Sequence, residues 1–212
     1  MKNTSEISRL VFLVSFVFTA LLFGTPAYAQ DKTGEIDKIF SWATQSTAGC
    51  AVAVSQRGKV VVNRAYGMAD LERDFPIKTN TIFYAGSVVK QFVAASVLLL
   101  VEEGKLSLTE DIRKYIPELP DTGHKIMLDH LLTHTSGIRD WTGIRTLSEG
   151  YPDVLTLILR QRSPNFAPGE EWSYSNSGFE LLKEIITRTS GMSFSEFARK
   201  RLFEPLGMKS SS

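Results

Sequence analysis

A single cysteine in 212 residues excludes an internal disulfide. Cys50 stands in the apolar run Gly49-Cys50-Ala51-Val52-Ala53-Val54, where it reads as a small core residue rather than a nucleophile. Clustered charge is missing as well. The chain carries 24 Lys+Arg against 23 Asp+Glu, and without Lys2, Arg9 and Glu6 of its first 29 residues the tally is 22 against 22. Dispersed, balanced charge argues against nucleic acid or an anionic membrane as partner. A zinc-protease pattern is also absent: His130 and His134 are four apart, but no Glu follows His130, so no metal is expected. No repeat, low-complexity tract or Gly/Ser linker interrupts Asp31 to Met208, which leaves one domain in that span.

Long apolar runs are scarce too, and the one near the start is informative. Leu10 to Phe23 is 14 residues long, about 21 Å as a helix, short of the roughly 30 Å hydrocarbon core. Lys2 and Arg9 precede it, and Ala27-Tyr28-Ala29 follows with small residues where a signal peptidase reads. Residues 1–29 are therefore predicted to be a secretory signal peptide cleaved after Ala29, with a periplasmic or secreted product and no stable membrane anchor. No lipid-attachable cysteine follows the run.

The remaining chain, 43% hydrophobic and 22% charged over the full sequence, suits a globular domain with a core. Amphipathic spacing predicts a helix over Gly34–Thr44. Cys50–Ser55 and Lys59–Tyr66 read as a hairpin around Gln56-Arg57-Gly58. After that the pattern is mainly helical: Val88–Val101 closing at Gly104, Pro152–Arg160, Phe179–Thr189 and Phe194–Leu202, with turns at Pro117, Pro120, Gly137 and Gly143.

Two motifs carry chemistry. Ser87-Val88-Val89-Lys90 opens the long apolar helix and puts a hydroxyl and an amine one turn apart, a nucleophile beside a base. At a helix start, developing negative charge on Ser87 is favoured by the dipole. A Ser-x-x-Lys spacing is loose, however, and Ser is also a common helix cap. The second motif, Tyr174-Ser175-Asn176, follows the Pro164–Glu171 loop and precedes a helix beginning near Gly178. Tyr174 could exchange a proton with the serine, and Asn176 could bind a substrate carbonyl or hold Lys90, while Ser and Asn there are also ordinary capping residues. Trp141, Trp172 and Phe166 could line a groove or fill the core.

Together these motifs resemble the serine β-lactamase and penicillin-binding-protein superfamily, in its class C β-lactamase-related branch. The resemblance extends to Phe83-Tyr84-Ala85-Gly86, Leu131-Leu132-Thr133-His134-Thr135-Ser136-Gly137-Ile138, Phe166-Ala167-Pro168-Gly169 and Glu204-Pro205-Leu206-Gly207-Met208, in the order and approximate spacing of that branch. It implies an α+β fold, a helical region beside an antiparallel sheet, with the site between them. It further implies acyl transfer without a cofactor: Ser87 as nucleophile, Lys90 and Tyr174 sharing the general acid and base work, and Asn176 orienting a small-molecule or peptide substrate. The His134 segment is in that family a structural helix end and turn.

The third family motif, Lys-Thr-Gly or His-x-Gly on a downstream strand, has no counterpart in the 36 residues after Asn176. That strand normally provides one of two oxyanion donors, a loss of about 10²–10³ in rate. The expectation is a domain over residues 30–212 that is truncated, with its C-terminal sheet strands and covering helix missing and an open sheet edge available for self-association. Three readings follow. One is an active serine hydrolase of β-lactams, D-alanyl peptides or small esters; the others are an impaired or non-catalytic homologue, and an exported helical binding protein in which Ser87 and Asn176 are caps.

Overall fold

The computed structural model describes residues 33–147, 150 and 152–211. The expected signal peptide at residues 1–29 lies outside the described residues. These fall into two compact units that divide after Thr81.

The first unit contains helix α1 (Thr33–Ile39), a hairpin of β1 (Cys50–Gln56) and β2 (Lys59–Tyr66), and a short second ladder of β3 (Met68–Asp70) and β4 (Phe75–Pro76). The hairpin pairs Gln56 with Lys59, leaving Arg57 (φ 50°) and Gly58 (φ 75°) as a two-residue turn with both φ values positive. Helix α1 stops earlier than the periodicity predicts. The Thr47 hydroxyl accepts from Thr44 N at 2.8 Å, and such side-chain bonds draw the backbone away from the helix. Tyr66 donates to Asp37 Oδ1 at 2.6 Å and stacks on Phe40 at 5.1 Å, tying α1 to β2. Gly49 has no room for a side chain, since a Cβ would lie 1.9 Å from Tyr66 O. Cys50 is only partly buried, a correction to its reading as a core residue. Strands of three and two residues, β3 and β4 were too short to leave a periodic signal.

The second unit is helical: α2 (Lys90–Glu102), α3 (Leu128–Leu132), α4 (Trp141–Arg145), α5 (Val154–Leu159), α6 (Asn176–Ser190) and α7 (Phe194–Ala198). Its core joins Val93, Val97 and Leu100 of α2 to Leu181, Leu182, Ile185 and Ile186 of α6, with Ile112, Ile116, Leu128, Leu131, Ile158 and Phe197 closing round them. Burial of each such side chain contributes about 1.5–3 kcal/mol. The one polar group deep in α2, Ser96, donates to Phe92 O at 2.7 Å and so costs little.

Several boundaries move from their predicted places. Ser87 lies in a tighter 3-10 turn, Gly86–Val89, that leads into α2, rather than in the first turn of the α-helix itself. Gly143 falls inside α4 instead of in a turn, because Asp140 caps that helix by accepting from Thr142 N at 2.8 Å. Asp153 caps α5 likewise, so that helix begins after the predicted Pro152. Helix α6 starts at Asn176, capped by Ser175, and ends at Gly191. The last predicted helix divides into α7 and a π-helical turn, Arg199–Phe203. No helix among the described residues is long and apolar enough to cross a membrane.

Candidate active site

Two helix starts meet in the second unit. The 3-10 turn presents Ser87, and Lys90, the first residue of α2, points its amine back so that Nζ donates to Ser87 Oγ at 3.1 Å. Asn176, the first residue of α6, accepts from the same Nζ at 2.8 Å through Oδ1. Tyr174, two residues earlier, donates from its phenol to Ser87 Oγ at 2.7 Å. All four residues singled out in the sequence are thus brought within one hydrogen-bonded group. The Lys90 ammonium also lies 4.9 Å from the Tyr174 ring centre and 5.5 Å from that of Phe179.

The loop that carries Tyr174 is fastened to the Thr133–Gly137 turn. Ser173 N donates to His134 O at 3.0 Å, Gly169 N to Thr135 O at 2.8 Å and Asn165 N to Gly137 O at 2.8 Å. Only glycine fits at position 137: φ is +71°, and a Cβ would sit 2.2 Å from Phe166 O. The Gly137 backbone is thereby packed directly against that of Phe166. His134, itself at φ 61°, accepts from Ser175 N at 3.1 Å through Nδ1 and lies against the Tyr174 ring, centroids 4.6 Å apart. It supports the tyrosine. Trp172 stands edge-on to His134 at 6.0 Å and is largely exposed, whereas Trp141 packs against the core.

Charge in the site follows from these contacts. The Lys90 ammonium, then the bond to Ser87, hold the Tyr174 phenol below its ordinary range. Burial, then the Lys90 charge, push the His134 imidazole down. Burial alone would raise the Asp140 carboxyl, but hydrogen bonds from Thr142 and Asn176 outweigh it and keep the group below the usual carboxylate range. His130 is occupied by Met127 N, which donates to its Nδ1 at 3.3 Å. Among the described residues no three His, Cys, Asp or Glu side chains gather as a metal site.

A family model described as beta-lactamase matches residues 36–212. The chain belongs to the beta-lactamase family. It is 33% identical over 164 residues to a penicillin-binding protein of Bacillus subtilis (strain 168), a match covering 74% of this chain and 36% of that protein. With a D-aminopeptidase of Gluconobacter oxydans (strain 621H) it shares 32% over 168 residues, 76% of this chain and 31% of the relative. A solved class C beta-lactamase in complex with cefoxitin superposes with a TM-score of 0.69 at 29% identity, over 85% of this chain and 49% of that one. The chain therefore spans about a third of the length of these curated relatives. As a beta-lactamase-family domain it has the expected α+β class, helices together with antiparallel strands.

Sequence reasoning missed Asp140. Its Oδ2 accepts from both Asn176 N, at 2.6 Å, and Asn176 Nδ2, at 2.9 Å. An Asp just ahead of the Trp141-Thr142 helix start was legible as a cap; nothing local in the sequence links it to a residue 36 positions on.

Proposed function

We propose that this beta-lactamase-family chain acts by acyl transfer through Ser87. One observation carries the reading: Ser87 Oγ is held at once by Lys90 Nζ at 3.1 Å and by the Tyr174 phenol at 2.7 Å. A serine needs a base to become a nucleophile, and the lowered Tyr174 phenol beside a cation fits that role. In the proposed step, phenolate takes the Oγ proton while Oγ bonds to the substrate carbonyl carbon. The bond from that carbon to its leaving group then breaks, and the leaving group departs with the proton that Tyr174 took. Water, deprotonated by the same route, later releases the acid and restores Ser87. Lys90 holds Oγ through its hydrogen bond and Asn176 fixes its place. The substrate class proposed is a β-lactam, D-alanyl peptide or small ester, in keeping with relatives that include a penicillin-binding protein and a D-aminopeptidase. Residues 1–29 are proposed to direct export as a cleaved signal peptide.

Labelling decides it. The full chain is treated with a fluorescent penicillin and, separately, a fluorophosphonate, and the modified peptide is located by mass spectrometry. A covalent adduct on Ser87 that disappears in Ser87→Ala is expected. Absence of any adduct at Ser87 with both probes would sink the acyl-transfer reading.

A further inference from the structure

An ammonium can only donate hydrogen bonds and an ionised carboxylate can only accept them. Asn176 stands between one of each. Lys90 Nζ donates to its Oδ1 at 2.8 Å, and its Nδ2 donates to Asp140 Oδ2 at 2.9 Å. The amide has two orientations related by a half-turn, and only this one satisfies both neighbours. The reverse would aim NH₂ at a cation and a carbonyl oxygen at an anion. The same carboxylate oxygen also accepts from Asn176 N at 2.6 Å, which fixes the backbone at the start of α6 along with the side chain.

We infer that Asp140 is the positioning residue that decides which way the Asn176 amide faces and, through it, where Lys90 Nζ stands against Ser87. Its other oxygen, Oδ1, is taken up by Thr142 N at 2.8 Å and Thr142 Oγ1 at 2.5 Å, so the carboxylate is clamped on the α4 side and cannot turn away. Two residues, Asn176 and Lys90, stand between Asp140 and the serine, and Asp140 has no part in the bond-making step. It works as a polarity lock: any group at position 140 that offers an N–H toward Asn176 favours the turned-over amide and repels Lys90.

The inference rests on reading Ser87 as the acylated nucleophile, and the test separates the two. The variant is Asp140→Asn, nearly the same shape and still a good helix cap; Asp140→Ser, which keeps a capping oxygen but falls short of Asn176, serves if the first does not fold. In the first arm, ¹⁵N-correlated spectra of the full chain follow the Asn176 backbone and side-chain amides. In the wild type both are expected at the low-field proton shifts of donors to a carboxylate, and in Asp140→Asn both are expected to lose them. In the second arm, the rate of Ser87 labelling is expected to fall by about 10²-fold, the usual cost of a displaced catalytic group. A double variant with Asn176→Ala should be no slower than Asn176→Ala alone, since one residue acts through the other. Unchanged Asn176 amide signals overturn the inference, as do wild-type labelling by Asp140→Asn or additive losses in the double variant. If the wild type takes no label, the acyl-transfer reading fails and the spectra alone decide the lock.

Discussion

The phenol of Tyr174 donates to Ser87 Oγ across 2.7 Å although the two residues are 87 apart in the sequence. Because Lys90 and Ser87 together lower the phenol, its ionised form becomes available below the ordinary value of 10.0. The rate of Ser87 acylation should therefore rise with pH and level off at a midpoint under that value, since the phenolate is the active form. Tyr174→Phe should cost about 10²–10⁴ in rate at the plateau. The residue is 41% exposed, so melting temperature should barely move. A pH–rate profile of labelling, with a thermal scan on the same samples, checks both.

Lys90 is the largest cause of that lowering. Replacing it with Met removes the cation and should move the Tyr174 titration upward, toward 10.0. Ultraviolet difference absorbance of the phenolate measures this without reference to turnover, with Tyr174→Phe as the blank. A titration that stayed in place would mean that Lys90 does not set the acidity of the phenol.

Gly137→Ala tests the mounting of the site. A new Cβ would meet the Phe166 carbonyl at 2.2 Å in a backbone conformation that alanine resists. The Phe166 loop must give way, and with it the segment that carries Tyr174. A loss of about 1–3 kcal/mol in stability is expected, accompanied by slower labelling of Ser87. Gly34→Ala, where nothing lies within 4 Å of the new atom and the backbone is helical, is the control and should weaken neither.

His134 links stability to pH. Burial and Lys90 lower its folded value below 6.5, the ordinary one. At pH values between the two, the unfolded chain binds the extra proton and the folded chain does not. The stabilisation from neutral His134 is therefore complete above 6.5 and is lost as pH falls through the folded value. Urea midpoints should drop over that interval in the wild type and drop less in His134→Asn.

Much of the site could be read from letters. Ser87, Lys90, Tyr174 and Asn176 could be singled out as candidates because the segments around them resemble one family and because their motifs stand at helix starts, where spacing, caps and glycines leave local marks. The hairpin was legible for the same reason, its turn being declared by Gly58. What escaped was whatever depends on contacts between distant segments. Asp140 looks like a helix cap and is one, but its second oxygen serves a residue on another helix. His134 could be placed in a turn, yet its packing beneath Tyr174 arises only when two loops are zipped together. Strands β3 and β4 were invisible because two or three residues define no period.

Lys90 and Asn176 each open a long helix whose far turns are sunk in the same apolar core. A one-residue slip of either helix would carry its end about 1.5 Å along the axis, enough to part the 2.8 Å contact between them. The packing of Val97, Leu100, Leu182 and Ile185 thereby acts as a ruler for atoms well away from it. Heat should part the Lys90–Asn176 contact and melt the core together in one step, and substitutions that reshape the interior between the two helices become a way to shift the neighbours of Ser87 without substituting them.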